Sequence, residues 1–454
     1  MIRLRTNLSR NTLRRVLAFI TMFSEDRKQL GGRYAIRASK ERLTDFGARS
    51  AWSLWRRVRK VSRYAQTRLF APSTAEPVGA KSGILFLGYV EAGLGLGESL
   101  RGLITAYSGG SHPFAIYPFN ERVETRWIGP FMPERYDCTN CYDVVVMEVA
   151  ADQVPKVEET VRKDILTGSH KVLRTYWELP AAPSVWKPML RGIDEIWAPN
   201  NFVAEAFSRV FDGDIVVIPP CIEPTTNAPL TRAHYGLEDG RFYFLFTFDY
   251  FSFPARKNPQ GVLTAFQKAF PNRSEAVGLV LKSTGAAGHH PELKREFLAA
   301  SKADTRIHIL DKNMSRSDAH GLIQTCDCYV SLHRSEGFGF GMAEAMFYEK
   351  PVIATCYSGN TDFLTNETGF PVDFHLRAVE EDEYVWPHQQ VWAEPSLRSA
   401  VDAFRTVYER PDLRRQRAEK GAAFVHHHYG ASAVRAAIEA RLKKIKPNSP
   451  SKKS

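Results

Sequence analysis

The sequence predicts an α/β protein: two tandem doubly wound, Rossmann-like domains behind a basic helical N-terminal extension. Three observations carry this expectation. From about residue 83 onward, short apolar runs alternate with helical patterns, the signature of βαβ units and a parallel sheet. The series divides at a Pro- and Thr-containing stretch, Pro219 to Pro229. The 454 residues, 44% hydrophobic and 24% charged, are ordinary globular composition and suffice for two or three domains with sizeable cores.

Residues 1–82 are set apart by charge. They hold 19 Lys+Arg against five Asp+Glu, a balance of +14, whereas the remainder has 42 basic and 45 acidic residues, a balance of −3. The basicity belongs to one segment, so no nucleic-acid partner is expected. Leu13, Val16, Leu17 and Ile20 follow helical spacing beside Arg14 and Arg15, and Trp52, Trp55, Val58 and Val61 interleave with Arg56, Arg57, Arg59 and Lys60. Such helices suit an anionic membrane surface, and equally an arm packed on the protein with its charges solvated. Ala71 to Lys81, with two prolines, reads as a linker. The apolar run Val16 to Phe23 falls far short of the about 20 residues of a span, and the charged Ser24-Glu25-Asp26-Arg27-Lys28 after it does not suit a signal peptide. An Arg-rich, acid-poor start is also what organellar transit peptides show. The expected location is cytoplasmic, soluble or peripheral at the inner face of the membrane. Six cysteines exclude a disulfide scaffold and fit a reducing compartment.

The first domain, 83–220, has candidate strands Gly83–Val90, Phe114–Pro118, Tyr142–Val149, Lys171–Trp177, Glu195–Ala198 and Ile215–Pro219. The second, 221–395, has Phe242–Phe248, Val277–Lys282, Arg306–Leu310, Cys328–Leu332 and Pro351–Ala354. Residues 396–454 read as C-terminal helices, from about Ser396 to Lys444, and a basic tail.

Three segments combine residue types that chemistry needs. Gly93-Leu94-Gly95-Leu96-Gly97-Glu98 follows the first strand and precedes a helix expected near Ser99. Its glycines would let backbone amides approach an anion, or would simply serve a tight strand-to-helix turn. A dinucleotide reading would need an acid at the end of the next strand, where Glu121 lies slightly too far on. The second segment, Ser335-Glu336-Gly337-Phe338-Gly339-Phe340-Gly341-Met342-Ala343-Glu344, follows a strand and opens a helix. A diphosphate would rest on the amides of the Gly339–Gly341 turn, while Glu336 and Glu344, which repel phosphate, would accept hydrogen bonds from a sugar and a ribose on either side. A nucleotide-sugar needs such a turn flanked by acids. The third, Arg256-Lys257-Asn258-Pro259, lies in the loop after strand Phe242–Phe248 and before a helix Gly261–Phe270. Two cations there would neutralise a departing diphosphate. His333, at a strand end before Glu336, is a further pocket candidate. Cys138 and Cys141 form one CxxC, but Cys326 and Cys328 have CxC spacing far along the chain, so four well-placed zinc ligands are missing. His426-His427-His428 lies in the terminal helical region and is no obvious metal site.

These residues resemble the retaining glycosyltransferases of family 4, whose two-Rossmann-domain architecture is called GT-B. That family's signature is Glu, seven residues, Glu, the spacing of Glu336 and Glu344. Asn258-Pro259 with Phe266 and Phe270, Gly369 after Thr365, and Pro351-Val352-Ile353-Ala354 also match its donor domain. The Gly93–Glu98 loop and Trp177-Glu178-Leu179 resemble its acceptor half, and the likeness spans about 83 to 440. The resemblance implies a donor sugar on Glu336, the nucleotide ribose on Glu344 and the diphosphate on Lys257. The family often has an Arg about five residues before that Lys. Ser252 stands there in this chain, so Arg256 is the candidate substitute.

The implied activity is transfer of a sugar from a nucleotide-sugar to a glycan or lipid-linked glycan hydroxyl with retention of configuration, in cell-envelope polysaccharide or glycolipid synthesis. No cofactor is expected, the nucleotide-sugar being a substrate. No metal is expected either, on the premise that no Asp-x-Asp occurs anywhere in the chain to hold one against the diphosphate. The alternatives are a sugar-nucleotide epimerase or phosphorylase on the same fold, or an inactive nucleotide-binding scaffold.

Overall fold

The computed structural model describes residues 81–121, 127–224, 230–284, 288 and 290–445. The expected helical extension, including the Trp52 and Trp55 patch, and the basic tail from Pro447 lie outside the described residues. In the first domain, strands β1 (Lys81–Gly88), β2 (Phe114–Pro118), β3 (Tyr142–Glu148), β4 (His170–Arg174), β5 (Glu195–Ala198) and β6 (Asp214–Val217) form one sheet. The order is β2-β1-β3-β4-β5-β6, and every pairing is parallel. Helices α1 (Gly95–Tyr107), α2 (Val154–Thr160), α3 (Lys163–Leu166) and α4 (Asn201–Phe207) connect them. The helix expected near Ser99 thus begins one turn earlier, at Gly95.

The second domain begins with β7 (Phe242–Asp249), α5 (Pro254–Lys257), α6 (Pro259–Ala269), β8 (Val277–Thr284), α7 (Pro291–Ala303) and β9 (Ile307–Asp311). It continues with α8 (Arg316–Thr325), β10 (Cys328–Ser331), α9 (Phe340–Phe347), β11 (Val352–Thr355) and β12 (Phe370–Val372). Its sheet runs β12-β11-β10-β7-β8-β9, again parallel throughout. Two Rossmann-like domains in tandem are therefore present, the GT-B architecture. Strands buried on both faces explain why the apolar runs were continuous rather than alternating: Phe244 and Phe246 pack on one side of β7, Tyr243 and Leu245 on the other.

The sequence pattern missed β12 and an antiparallel hairpin, β13 (Phe374–Ala378) with β14 (Val391–Pro395). The hairpin is an arm of the second domain reaching the first. Val379, Tyr384 and Trp392 join the core that holds Trp177, Leu179 and Trp186, and Gln390 Nε2 donates to Ala181 O at 2.9 Å. The last three helices are α10 (Leu397–Glu409), α11 (Pro411–Tyr429) and α12 (Ala431–Leu442). α10 packs on the second domain, where Phe404 lies 4.7 Å from Phe244 ring to ring. α12 crosses back, burying Val434 and Ile438 against Leu103 and Tyr107 of the first domain.

In each sheet the first strand lies between strands reached in opposite directions: β1 between β2 and β3, β7 between β8 and β10. The carboxyl ends of such strands form the crevice where open parallel sheets bind ligands. The Gly93–Glu98 and Ser335–Glu344 segments leave these two crevices.

Candidate active site

A cavity of about 450 Å³ opens at the β7/β10 crevice and is closed on its other side by first-domain residues Leu94, Leu96, Tyr176 and Glu178. Its basic wall is built by an unusual piece of backbone. Arg256 and Lys257 occupy the four-residue helix α5 rather than a loop, bracketed by two non-glycine residues with positive φ, Phe253 (+58°) and Asn258 (+53°). Each such residue costs on the order of 1–3 kcal/mol and persists only where its surroundings hold it. Phe253 packs its ring 4.8 Å from that of Tyr384 on the hairpin arm. Asn258 accepts a hydrogen bond from Gly261 N and donates from Nδ2 to Leu332 O at 2.9 Å, tying the start of α6 to the end of β10. With Pro259 at the first helical position, the Asn-Pro pair is a capping device that aims the two preceding cations.

Both cations meet Glu336. Lys257 Nζ lies 2.5 Å from Glu336 Oε1, and Arg256 Nη1 lies 3.1 Å from Oε2 and donates to Ser335 O at 2.8 Å. Glu336 is 8% exposed and Arg256 5%. Burial alone would push the Glu336 carboxyl up, but the Lys257 ammonium and the Arg256 guanidinium outweigh it and hold it well below the usual carboxylate range. Arg256 is likewise opposed by burial and held charged by Glu336 and Glu178. The site is an ionised triad with one net positive charge.

Glu336 is fixed from behind. Its N–H donates to Ser358 Oγ at 2.8 Å, Ser335 Oγ donates to Glu178 O, and Gly337 O accepts from Asn200 Nδ2 at 2.7 Å. The last two bonds join the domains at the site itself. Arg334, just before the segment, pairs with Glu394 of β14, and its carbonyl accepts from Ala393 N. The turn that follows has two glycines that the geometry demands. Gly339 caps α9 at φ +97°, and a Cβ on Gly341 would lie 2.2 Å from Tyr329 Oη. The first amides of α9 are left facing the cavity, which Phe340 and Gly341 line.

The structure brings Arg256, Lys257, Glu336, Gly337, Phe338, Gly339, Phe340 and Gly341 to one cavity, with Gly95 and Glu178 across from them. Glu178 Oε2 accepts a 2.7 Å hydrogen bond from Tyr384 Oη. Phe338 is 1% exposed and contributes chiefly packing among Phe340, Phe363 and Tyr429.

Other expected residues stand elsewhere. His333 does not line the cavity: it is fully buried, with Nε2 facing the acceptors Tyr357 O and Asn360 Oδ1 and Nδ1 beside Ser331 Oγ. Burial holds its imidazole below the ordinary range, so it supports the Glu336 segment as a neutral ring. Gly97 is a packing glycine, since a Cβ there would sit 2.4 Å from Ala92 O. Glu98 pairs with Arg101 at 2.6 Å and with Arg316 of α8 at 3.2 Å, and Gly93 is exposed outside the cavity. Glu344 lies beyond the lining residues, one turn into α9, with Oε1 3.5 Å from His320 Nε2. The premise about Asp-x-Asp was mistaken: Asp212-Gly213-Asp214 is one. It begins the edge strand β6, its carboxylates paired with Lys187 and Arg441, and neither lines the cavity. Among the described residues no group of three or more His, Cys, Asp or Glu is arranged to hold a metal.

Three of the cavity residues that sequence reasoning missed are polar groups with distinct roles. Tyr176 donates to or accepts from Ser99 Oγ at 2.5 Å and packs 5.9 Å from the Phe340 ring. Thr247 shares a 2.7 Å hydrogen bond with Tyr329. Lys282, at the carboxyl end of β8, is a third cation. A lysine ending an apolar parallel strand was the available signal.

Residues 237–422 match the family described as "Glycosyl transferases group 1". The match covers the second domain and reaches into the helices that follow it, less than half of the chain. No curated protein matches the chain. Among solved structures, Anabaena HepE in complex with UDP and glucose superimposes with a TM-score of 0.57 at 14% identity, covering 80% of this chain and 100% of that one. Sucrose-phosphate synthase from Thermosynechococcus elongatus gives 0.57 at 15% identity, with 80% and 99% covered. A glycosyltransferase from Rickettsia africae gives 0.56 at 16% identity, with 82% and 100% covered. The chain shares their fold. Its matched segment contains Arg256, Lys257, Glu336 and Glu344.

Proposed function

We propose that the protein transfers a hexose from a nucleotide-sugar to a hydroxyl of a glycan or lipid-linked glycan, with retention at the anomeric carbon. The observation that carries this reading is the Lys257–Glu336–Arg256 triad beneath the amides of α9. The diphosphate would lie between those amides and the Lys257 ammonium. Glu336 would orient the donor sugar, and Glu344 would take the ribose of a nucleotide lying along α9. The nucleotide in HepE is UDP, which favours a uridine donor here.

In this reading the bond between the anomeric carbon and the diphosphate oxygen breaks as the acceptor oxygen bonds to the same face. The acceptor proton passes to the departing phosphate. Glu336 is held ionised and engaged by two cations, so it serves orientation rather than nucleophilic attack. Lys257 and Arg256 stabilise the negative charge that grows on the leaving group, usually the largest single contribution of an enzyme. The transfer is proposed to need no metal. Incubation with UDP-, GDP- and dTDP-sugars together with hydroxyl acceptors tests the reading. Acceptor-dependent release of nucleoside diphosphate with formation of an α-glycoside from an α-linked donor is expected. Nucleotide release with no new glycoside, or no release from any donor, would overturn it.

The acceptor is proposed to belong to cell-envelope polysaccharide or glycolipid synthesis, met at the cytoplasmic face of the membrane through residues 1–82. Among the described residues no helix is long and apolar enough to cross a membrane, and the charge of +14 supports surface attachment. Each Lys or Arg near an anionic surface contributes about 1 kcal/mol. Cosedimentation of the full chain, and of a chain starting at Lys81, with vesicles of graded anionic lipid content tests this. Salt-sensitive binding by the full chain only is expected. Equal binding by both, or by neither, would remove the membrane role.

A further inference from the structure

One cation at the cavity has no partner among the described residues. Lys282 is 9% exposed, and its ammonium makes no hydrogen bond or ion pair among the described residues, although it lines the cavity. Unpaired buried lysines are expensive to keep, because desolvation disfavours the charged form. Burial pushes the Lys282 ammonium down to about 8, against the opposing pull of Asp249 and Asp311. Neither acid reaches it. Asp249 Oδ1 accepts from Phe251 N at 2.8 Å, and Asp311 accepts from Ser283 Oγ at 3.0 Å and Lys294 Nζ at 2.8 Å. Both are committed to their own neighbourhoods.

Register gives Lys282 its direction. It stands opposite Thr247 of β7, and Val280, two residues earlier, packs with Leu245, Tyr329 and Met342 on one face of the sheet. That face carries α9, and Thr247 hydrogen-bonds Tyr329, the residue against which Gly341 is packed. Lys282 therefore shares the sheet face from which the first amides of α9 open into the cavity. The other titratable groups lining this space are Asp249 at the end of β7, Arg256 and Lys257 on α5, Glu336 before α9, Tyr329 on β10, and Tyr176 and Glu178 from the first domain. Arg256 and Lys257 are already neutralised in part by Glu336, whereas a nucleoside diphosphate leaves with a larger negative charge than that pair can match.

We propose that Lys282 is a phosphate-binding residue of this cavity, its ammonium pairing with a nucleoside diphosphate seated on the α9 amides opposite Lys257. The proposal rests on the donor-site reading above and adds a residue to it. Pairing with phosphate restores the full charge of an ammonium that burial leaves only partly protonated near pH 8. Binding then takes up protons, and affinity falls between pH 7 and pH 9.

The experiment is calorimetric titration of the full chain with UDP, GDP and dTDP, and with the corresponding nucleosides, at pH 7 and pH 9 in buffers of different ionisation enthalpy. Wild type, Lys282→Met and Lys282→Arg are compared. Wild type is expected to bind at least one nucleotide with proton uptake. Lys282→Met should weaken that binding about tenfold or more, the scale of one hydrogen bond to a charged group, and abolish the uptake. Lys282→Arg should retain affinity and lose its pH dependence. Melting temperature separates this role from a structural one, because removing an unpaired buried cation should leave stability unchanged or higher. Nucleotide binding by Lys282→Met equal to wild type would overturn the proposal and leave the donor site standing. So would nucleoside binding weakened as much as nucleotide binding, which would put the ammonium on the ribose or base. Binding of no nucleotide by wild type would instead overturn the donor-site reading itself.

Discussion

Lys257 Nζ and Glu336 Oε1 lie 2.5 Å apart, in a pair 79 residues distant in sequence that joins the four-residue helix α5 to the turn before α9. Arg256 meets the other carboxylate oxygen but also donates to the Ser335 carbonyl, so the two cations differ in kind. Lys257→Ala is expected to lower kcat by about 10²–10³, the scale for one preorganised transition-state donor, and to lower the melting temperature less than Arg256→Ala does, because Glu336 keeps Arg256 as a partner. Arg256→Ala is expected to lower both, since it strands a buried carbonyl. Steady-state kinetics and thermal melts check the contrast. Unchanged kcat in Lys257→Ala would refute the assignment.

The same pair sets a pH dependence of stability. Glu336 has an ordinary value of 4.5 and is held below it in the fold. Its contribution is complete above about pH 4.5 and is lost as the pH falls through the folded value. Glu336→Gln should therefore be destabilised at pH 7, and the difference in melting temperature from wild type should narrow toward pH 3. A difference independent of pH would show that the ion pair is not its source.

Gly341→Ala tests the turn over the cavity. A Cβ there meets Tyr329 Oη at 2.2 Å, and Tyr329 is held by Thr247. Overpacking of this kind costs about 1–3 kcal/mol. The expected result is a folded protein with weakened nucleotide binding. Nucleotide affinity equal to wild type would mean that the turn does not hold the donor.

Tyr384→Phe tests the hairpin arm. The Tyr384 hydroxyl donates to Glu178, on the wall opposite the triad. Its loss is expected to raise the acceptor KM about tenfold, the scale of one hydrogen bond to a carboxylate, while nucleotide affinity stays the same. A change confined to nucleotide affinity would place Glu178 on the donor side.

Both sheets were legible because parallel strands buried on two faces leave unbroken apolar runs. β2 and β5 fall on the bounds expected for them, Phe114–Pro118 and Glu195–Ala198. The glycine and acid pattern of 335–344 was legible because backbone approach to a ligand restricts residue type. The hairpin arm was not. β13 is mostly exposed, so it shows no apolar run, and the partners of Tyr384 and Trp392 lie some 200 residues earlier. Placing residues at carboxyl strand ends also cut both ways. That rule located Arg256 and Lys257, misread His333, whose ring turns inward to Asn360, and passed over Lys282 because a lysine there looks like the polar end of a strand.

The most direct test of the central claim is saturation binding of UDP-, GDP- and dTDP-sugars to wild type and Lys257→Ala by calorimetry. One nucleotide-sugar should bind wild type with one-to-one stoichiometry, and Lys257→Ala should bind it at least tenfold more weakly. Failure of every nucleotide-sugar to bind wild type, or equal affinity in the two proteins, would contradict the account.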